Sequence, residues 1–163
     1  MNKYQFALRF DVSECQLEQG QLDDLLFEAG FDDALVRHSR KGEVQIEFER
    51  EAENAFEAFT SARDQVLRVL PKARILEAKP DYVGPTDIAK FYNVSRQRIQ
   101  SLISEKQLGL HAVTCVGNTQ VFRLVTFIDA LEECGTPLED ATLREAAFAA
   151  SQLNRERECS GLM

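Results

Sequence analysis

Residues 43–49 read Glu-Val-Gln-Ile-Glu-Phe-Glu, a strict alternation of polar and apolar side chains. In an extended chain successive side chains point to opposite faces, so this stretch has one wet face and one face that must be buried. Tyr4, Phe6, Leu8 and Phe10 follow the same period. Two strands of a sheet covered on one side are therefore expected, and other parts of the chain must supply the cover.

Two segments have the right pattern for that cover. Leu22, Leu25, Leu26 and Ala29 recur at helical spacing, with Gly30 placed to cap the C-terminus. Phe56, Phe59, Ala62, Arg63, Val66 and Leu70 mark a longer amphipathic helix that Pro71 ends. Residues 11–19 are polar and read as a loop. Ala34-Leu35-Val36 begins a further strand, Arg40-Lys41-Gly42 reads as a hairpin turn, and residues 74–78 form a fourth strand closed by Pro80. The order is β-α-β-β-α-β, the split βαβ or ferredoxin-like plan, with a four-stranded antiparallel sheet and both helices on one face. This first domain is expected over residues 1–79. Two prolines and a glycine within residues 79–85 read as a linker, placed at 80–84.

Charge divides the chain at the same point. The formal net charge is -8 and the pI is near 4.9. Residues 1–80 carry 11 Lys+Arg against 16 Asp+Glu, and residues 129–163 carry three against eight. Residues 81–128 carry five against three and are the net-positive part. Such a balance argues against binding nucleic acid over most of the surface and restricts any such contact to one region. The glutamates of residues 43–49 alternate with apolar residues and are expected on a solvated or partner-facing surface.

No apolar run approaches the roughly 18–20 residues that span a bilayer, and MNKYQFALRF is not a signal-peptide pattern. Cys15, Cys115, Cys134 and Cys159 form no C-x-x-C pair, and His38 and His111 lie far apart in sequence. Reduced thiols in a cytoplasmic protein are expected, without a zinc site. The sequence has no nucleophile–base pair, glycine-rich phosphate loop or metal-ligand cluster. Neither catalysis nor a cofactor is expected.

The net-positive part opens with PTDIAKFYNVSRQRIQSLI, residues 85–103. Thr86 is suited to cap a helix running to about Tyr92, and Asp87 suits its first turn. Asn93 tolerates the left-handed backbone of a tight turn, and Ser95 is placed to cap a second helix. Ile88, Ala89, Val94, Ile99 and Leu102 are expected to share a small core, with Val94 at the corner. Arg96, Gln97, Gln100 and Ser104 then share an outward face, with Arg98 and Ser101 at its edges. Arg reads guanine and Gln reads adenine in the major groove, while Ser95 at a helix N-terminus suits a phosphate.

These residues resemble the helix-turn-helix of bacterial DNA-binding regulators, with Asn93 at a turn position that is usually Gly. The continuation strengthens the likeness. Residues 113–116 and 120–124 around Gly117-Asn118 read as a hairpin, and residues 126–133 as a short helix closed by Gly135. Helix-turn-helix, hairpin, helix is similar to the winged MerR and excisionase type, in which an aromatic-Arg pair precedes a short helix. Phe122-Arg123 stands there, and the resemblance implies that Arg123, Asn118 and Thr119 touch DNA backbone or minor groove. The winged domain is placed at residues 85–135 and a C-terminal helix and tail at 136–163. Thr142-Leu-Arg-Glu145 has the form of a capping box. The stripe Leu143, Ala146, Ala147, Ala150 and Leu153 suits packing on the winged domain or pairing with a second copy. Residues 158–163 are expected to fray.

The function expected is a sequence-specific regulator of transcription that binds double-stranded DNA as a homodimer, since one recognition helix reads few base pairs. Residues 95–104 would enter the major groove. Two other readings stand beside it. One is an antitoxin-like or adaptor protein whose acidic N-terminal domain binds a partner protein. The other is a ligand-sensing regulator.

Overall fold

The computed structural model describes residues 1–104, 108–136 and 140–161. The chain is a mixed α+β protein, and among the described residues it has six α-helices and two antiparallel sheets. The alternating stretches form β1 (Asn2–Asp11) and β3 (Glu43–Ala52), paired antiparallel from Asn2 opposite Ala52 to Asp11 opposite Glu43. β2 (Ala34–Arg37) joins β3 on the outside, and β4 (Arg74–Lys79) joins β1, giving the order β2-β3-β1-β4. Gly42, at φ 81°, makes the turn into β3, where the Glu43 N–H donates to the Arg40 carbonyl over 3.1 Å.

α1 (Gln19–Glu28) and α2 (Ala55–Val69) cover the sheet. Tyr4, Phe6, Leu8, Phe10, Val44, Ile46 and Phe48 point into the core under Leu22, Leu26, Phe59, Ala62 and Val66. Phe6 stacks on Phe59 at a centroid distance of 4.2 Å and on Phe48 at 5.1 Å, a pairing geometry worth about 1 kcal/mol beyond the area buried. On the opposite, open face the glutamates are paired: Arg9 bridges Glu43 and Glu77, Arg37 meets Glu47, and Lys3 meets Glu49. These half-exposed pairs quiet the charge of that face and add little stability. Residues 11–19, expected as a loop, include a single 3-10 turn at Ser13–Cys15.

Residues 80–84 do not behave as a linker. β5 (Tyr82–Val83) pairs with β7 (Thr119–Arg123), Tyr82 opposite Arg123 and Val83 opposite Phe122, and Asp81 is fully buried. β6 (Thr114–Val116) completes this second sheet in the order β5-β7-β6. α3 (Pro85–Tyr92), α4 (Arg96–Ser104) and α5 (Leu124–Glu133) close around it, with Ile88, Ala89, Ile99, Phe122, Phe127 and Ile128 in its core.

α6 (Ala141–Gly161) ties the two cores together. Ala146, Ala149, Ala150 and Leu153 belong to the first core, while Ala147 and Leu143 pack on the second. The alanine stripe thus packs within its own chain, on both units, and its small side chains let the helix approach closely. Its N-terminus is capped by Asp140, which accepts from the Thr142 N–H at 3.0 Å and from the Thr142 hydroxyl. Thr142 is therefore not the cap expected from the sequence, and Glu145 instead accepts from the Tyr4 hydroxyl at 2.6 Å. The helix continues to Gly161, so the expected fraying from residue 158 is not seen, and Leu162 and Met163 lie outside the described residues.

One side chain of α6 seals the outer edge of β4. Asn154, buried, accepts from the Ala78 N–H and donates to the Ala78 carbonyl, each at 2.8 Å, as a neighbouring strand would. An uncovered strand edge is a liability, and here an amide side chain covers it. Asn154→Leu is expected to lower stability by about 2–4 kcal/mol, because two buried backbone groups lose their partners. A denaturant titration reads this, and an unchanged midpoint would show that β4 needs no such seal.

Candidate nucleic-acid interface

The turn between α3 and α4 forms as its residues require. Asn93 adopts φ 55°, ψ 44°; its N–H donates to the Lys90 carbonyl at 3.3 Å and the Val94 N–H to the Ala89 carbonyl at 3.0 Å. That is the paired hydrogen bonding of a Schellman cap, with asparagine in the left-handed position that glycine usually takes. Val94, expected to pack the corner, is 43% exposed, so its backbone but not its side chain closes the turn. Ser95 caps α4 as expected, its Oγ accepting from the Arg98 N–H at 3.1 Å. Thr86 is not the cap of α3. Pro85 takes the first helical position, Gly84 the cap, and Asp87 accepts from the Gly84 N–H at 3.1 Å. Thr86 stays exposed.

Ile99 is buried and Leu102 and Ile103 are half-buried, which fixes the face of α4 turned inward. On the outside, Arg96, Gln97, Gln100 and Ser101 line one surface depression. Arg96 also lines a second depression with Gly84, Thr86 and Thr119. The N-terminus of α4, the start of α3 and the end of the hairpin turn therefore meet around Arg96. Among the described residues neither Arg96 nor Arg98 has an ion-pair partner. Gly117, at φ 60°, turns the hairpin and leaves Asn118 exposed at its tip. Arg98 is exposed but lines neither depression.

No protein-family model, curated protein or solved structure matches this chain. The site rests on its own geometry, and that geometry removes one residue from the expected set.

Arg123 is 8% exposed and is engaged inside the protein. Its Nη1 donates to Asp81 Oδ2 at 2.5 Å, and its Nη2 donates to the Tyr82 hydroxyl at 2.8 Å and to Glu158 Oε2 at 3.3 Å. The guanidinium lies 4.6 Å from the Tyr82 ring centroid. Tyr82 in turn donates to Glu158 at 2.8 Å, and Asn154 donates to Asp81 at 2.9 Å. Burial first, and then the bond to Glu158, push the Tyr82 hydroxyl above its ordinary range and keep it a donor. Three of its five N–H donors are engaged inside the protein, and the side chain is buried away from solvent. Arg123 positions β7 against β5 and α6, and does not present itself to a ligand.

Asp81, Tyr82, Asn154 and Glu158 were not foreseen as parts of this arrangement. The available signal was the run Val121-Phe122-Arg123-Leu124-Val125, an arginine inside apolar neighbours, which calls for a buried counter-charge. On the other side of α3, burial first, and then Glu132 and Asp129, push Tyr92 up to about 12. Among the described residues no group of His, Cys, Asp and Glu is arranged to hold a metal ion, and no helix is long and apolar enough to cross a membrane.

Proposed function

We propose that this chain is a regulator of transcription that binds double-stranded DNA as a homodimer, with α4 in the major groove. In this reading the first unit is a ferredoxin-like association module and the second a winged helix-turn-helix. The observation that carries it is the outer face of α4. It offers Arg96, Gln97, Gln100 and Ser101 together, with no carboxylate among the described residues paired to Arg96 or Arg98, on a helix whose other face is packed. Bidentate Arg and Gln are the side chains that distinguish guanine and adenine edges. Thr86 and Thr119 line a depression with Arg96 and Ser95 caps the helix; with Asn118, exposed at the hairpin tip, they are suited to backbone contacts that set its register. Arg123 is left out.

The acidic remainder of the chain limits the number of phosphates a protomer neutralises. Titration of duplex DNA at rising salt is therefore expected to give a shallow dependence of log K on log salt, corresponding to roughly two to four phosphates per protomer. Duplex binding that is absent even at low salt would reject the reading.

A further inference from the structure

β2 is the outermost strand of the first sheet and pairs on one side only, with β3. The Glu49 N–H donates to the Asp33 carbonyl at 3.0 Å, which makes Asp33 and Glu49 a hydrogen-bonded pair. Such pairs alternate along an antiparallel ladder, so Leu35 and Arg37 direct their backbone groups to β3. Ala34 and Val36 direct theirs to the open edge, and among the described residues no backbone group reaches them there. Apolar side chains flank this edge: Leu35 is 53% exposed on the open face of the sheet, and Phe27 of α1 is 85% exposed.

Residues 32–38 read Asp-Asp-Ala-Leu-Val-Arg-His. Two copies laid antiparallel about a two-fold axis at Leu35 place Ala34 opposite Val36, Asp33 opposite Arg37 and Asp32 opposite His38. Sliding one copy by two residues in either direction puts Leu35 against Asp33 or against Arg37 and loses this match of sign. The segment is thus acidic before its centre, basic after it and apolar at it, which is the pattern of a strand complementary to itself. Its polar groups are already held within the chain: Asp33 by Arg50 at 2.7 Å, Arg37 by Glu47 at 2.8 Å, and the His38 ring by Asp23 at 2.7 Å. Arg50 holds Asp33 on the helix-covered side, whereas Arg37 meets Glu47 on the open face, so pairing across the edge requires Asp33, in the turn before β2, to exchange Arg50 for Arg37 of the second copy.

We propose that β2 is the interface between two copies of this chain. The copies join edge to edge, Leu35 against Leu35, and their four-stranded sheets merge into one continuous sheet. This names the element that supplies the two-fold axis. The second unit is tied to the opposite edge through β4 and α6, and its Phe91 and Leu143 line the same depression as Leu35 on the open face. A short strand ending in charge is also how a sheet keeps a free edge from pairing at all, and self-association measured without DNA separates the two.

Sedimentation velocity of the full chain is expected to show a dimer. Leu35→Lys, a change at an exposed position, sets two like charges face to face on the axis and is expected to leave folded monomer at the same concentration, with folding checked by circular dichroism. With the four native cysteines replaced by serine, Leu35→Cys is expected to form a disulfide-linked dimer under mild oxidation. Arg37→Cys, which faces Asp33 and not itself, is expected to stay uncrosslinked. A wild-type monomer, or a dimer that persists with Leu35→Lys, would overturn the interface. Because no DNA is present, neither result bears on whether α4 reads bases.

Discussion

Arg123→Ala is expected to lower the stability of the whole chain by about 3–5 kcal/mol, the cost of stripping one partner from a buried ion pair. Asp81 is fully buried, and among the described residues its Oδ2 accepts from Arg123 and Asn154 alone. Its Oδ1 has no hydrogen-bond partner among the described residues. Truncating Arg123 leaves that carboxylate with one neutral donor. The same change removes the stacking on Tyr82 and the contact to Glu158, so β5, β7 and α6 loosen together. Replacing both partners by apolar residues, as in Arg123→Met with Asp81→Leu, is expected to recover most of the loss, since no charge is then stranded. Urea midpoints of the two single variants and the double variant measure this. Where the variant remains folded, the salt dependence of DNA binding should be unchanged, because Arg123 reaches no phosphate. A shallower slope with unaltered stability would restore Arg123 to the interface and refute the buried cluster.

Arg96→Ala combined with Gln97→Ala is expected to weaken binding to a specific duplex by roughly 30-fold or more, at about 1–3 kcal/mol for each bidentate base contact. The unfolding midpoint should move little, since both side chains are exposed and neither bears on Ile99 or the core beneath it. Affinity for unrelated duplex should fall much less, because only Arg96 carries a charge. Equal loss on specific and unrelated DNA would assign Arg96 to phosphate and leave the base-reading face elsewhere.

Much of the fold was legible because its signals are local. The alternation at 43–49 and at 4–10 had to become strands with one covered face, and Asn93 could only be a turn. Caps proved harder. Pro85 moved the cap of α3 back to Gly84, and Asp140 took the place expected for Thr142, each by a shift of two residues that periodicity does not resolve. What was not legible was non-local. Residues 80–84 have the composition of a linker, and their role depends on a strand 41 residues further on that pairs Tyr82 with Arg123. An arginine after an aromatic residue fits a surface wing and a buried clamp equally well; only the partner strand and α6 decide. The alanine stripe of α6 announced a packed face without saying what it covered. The outward face of α4 was legible because Ile99 and Leu102 define its inner side by spacing alone.

The measurement that bears most directly on the outer face of α4 is selection of bound duplexes from a random pool by the purified full chain. The expected result is enrichment of a site with two-fold symmetry, lost when Arg96 and Gln97 are both replaced by Ala. Failure to enrich any sequence, or enrichment of the same site by the double variant, would contradict a base-reading role for α4.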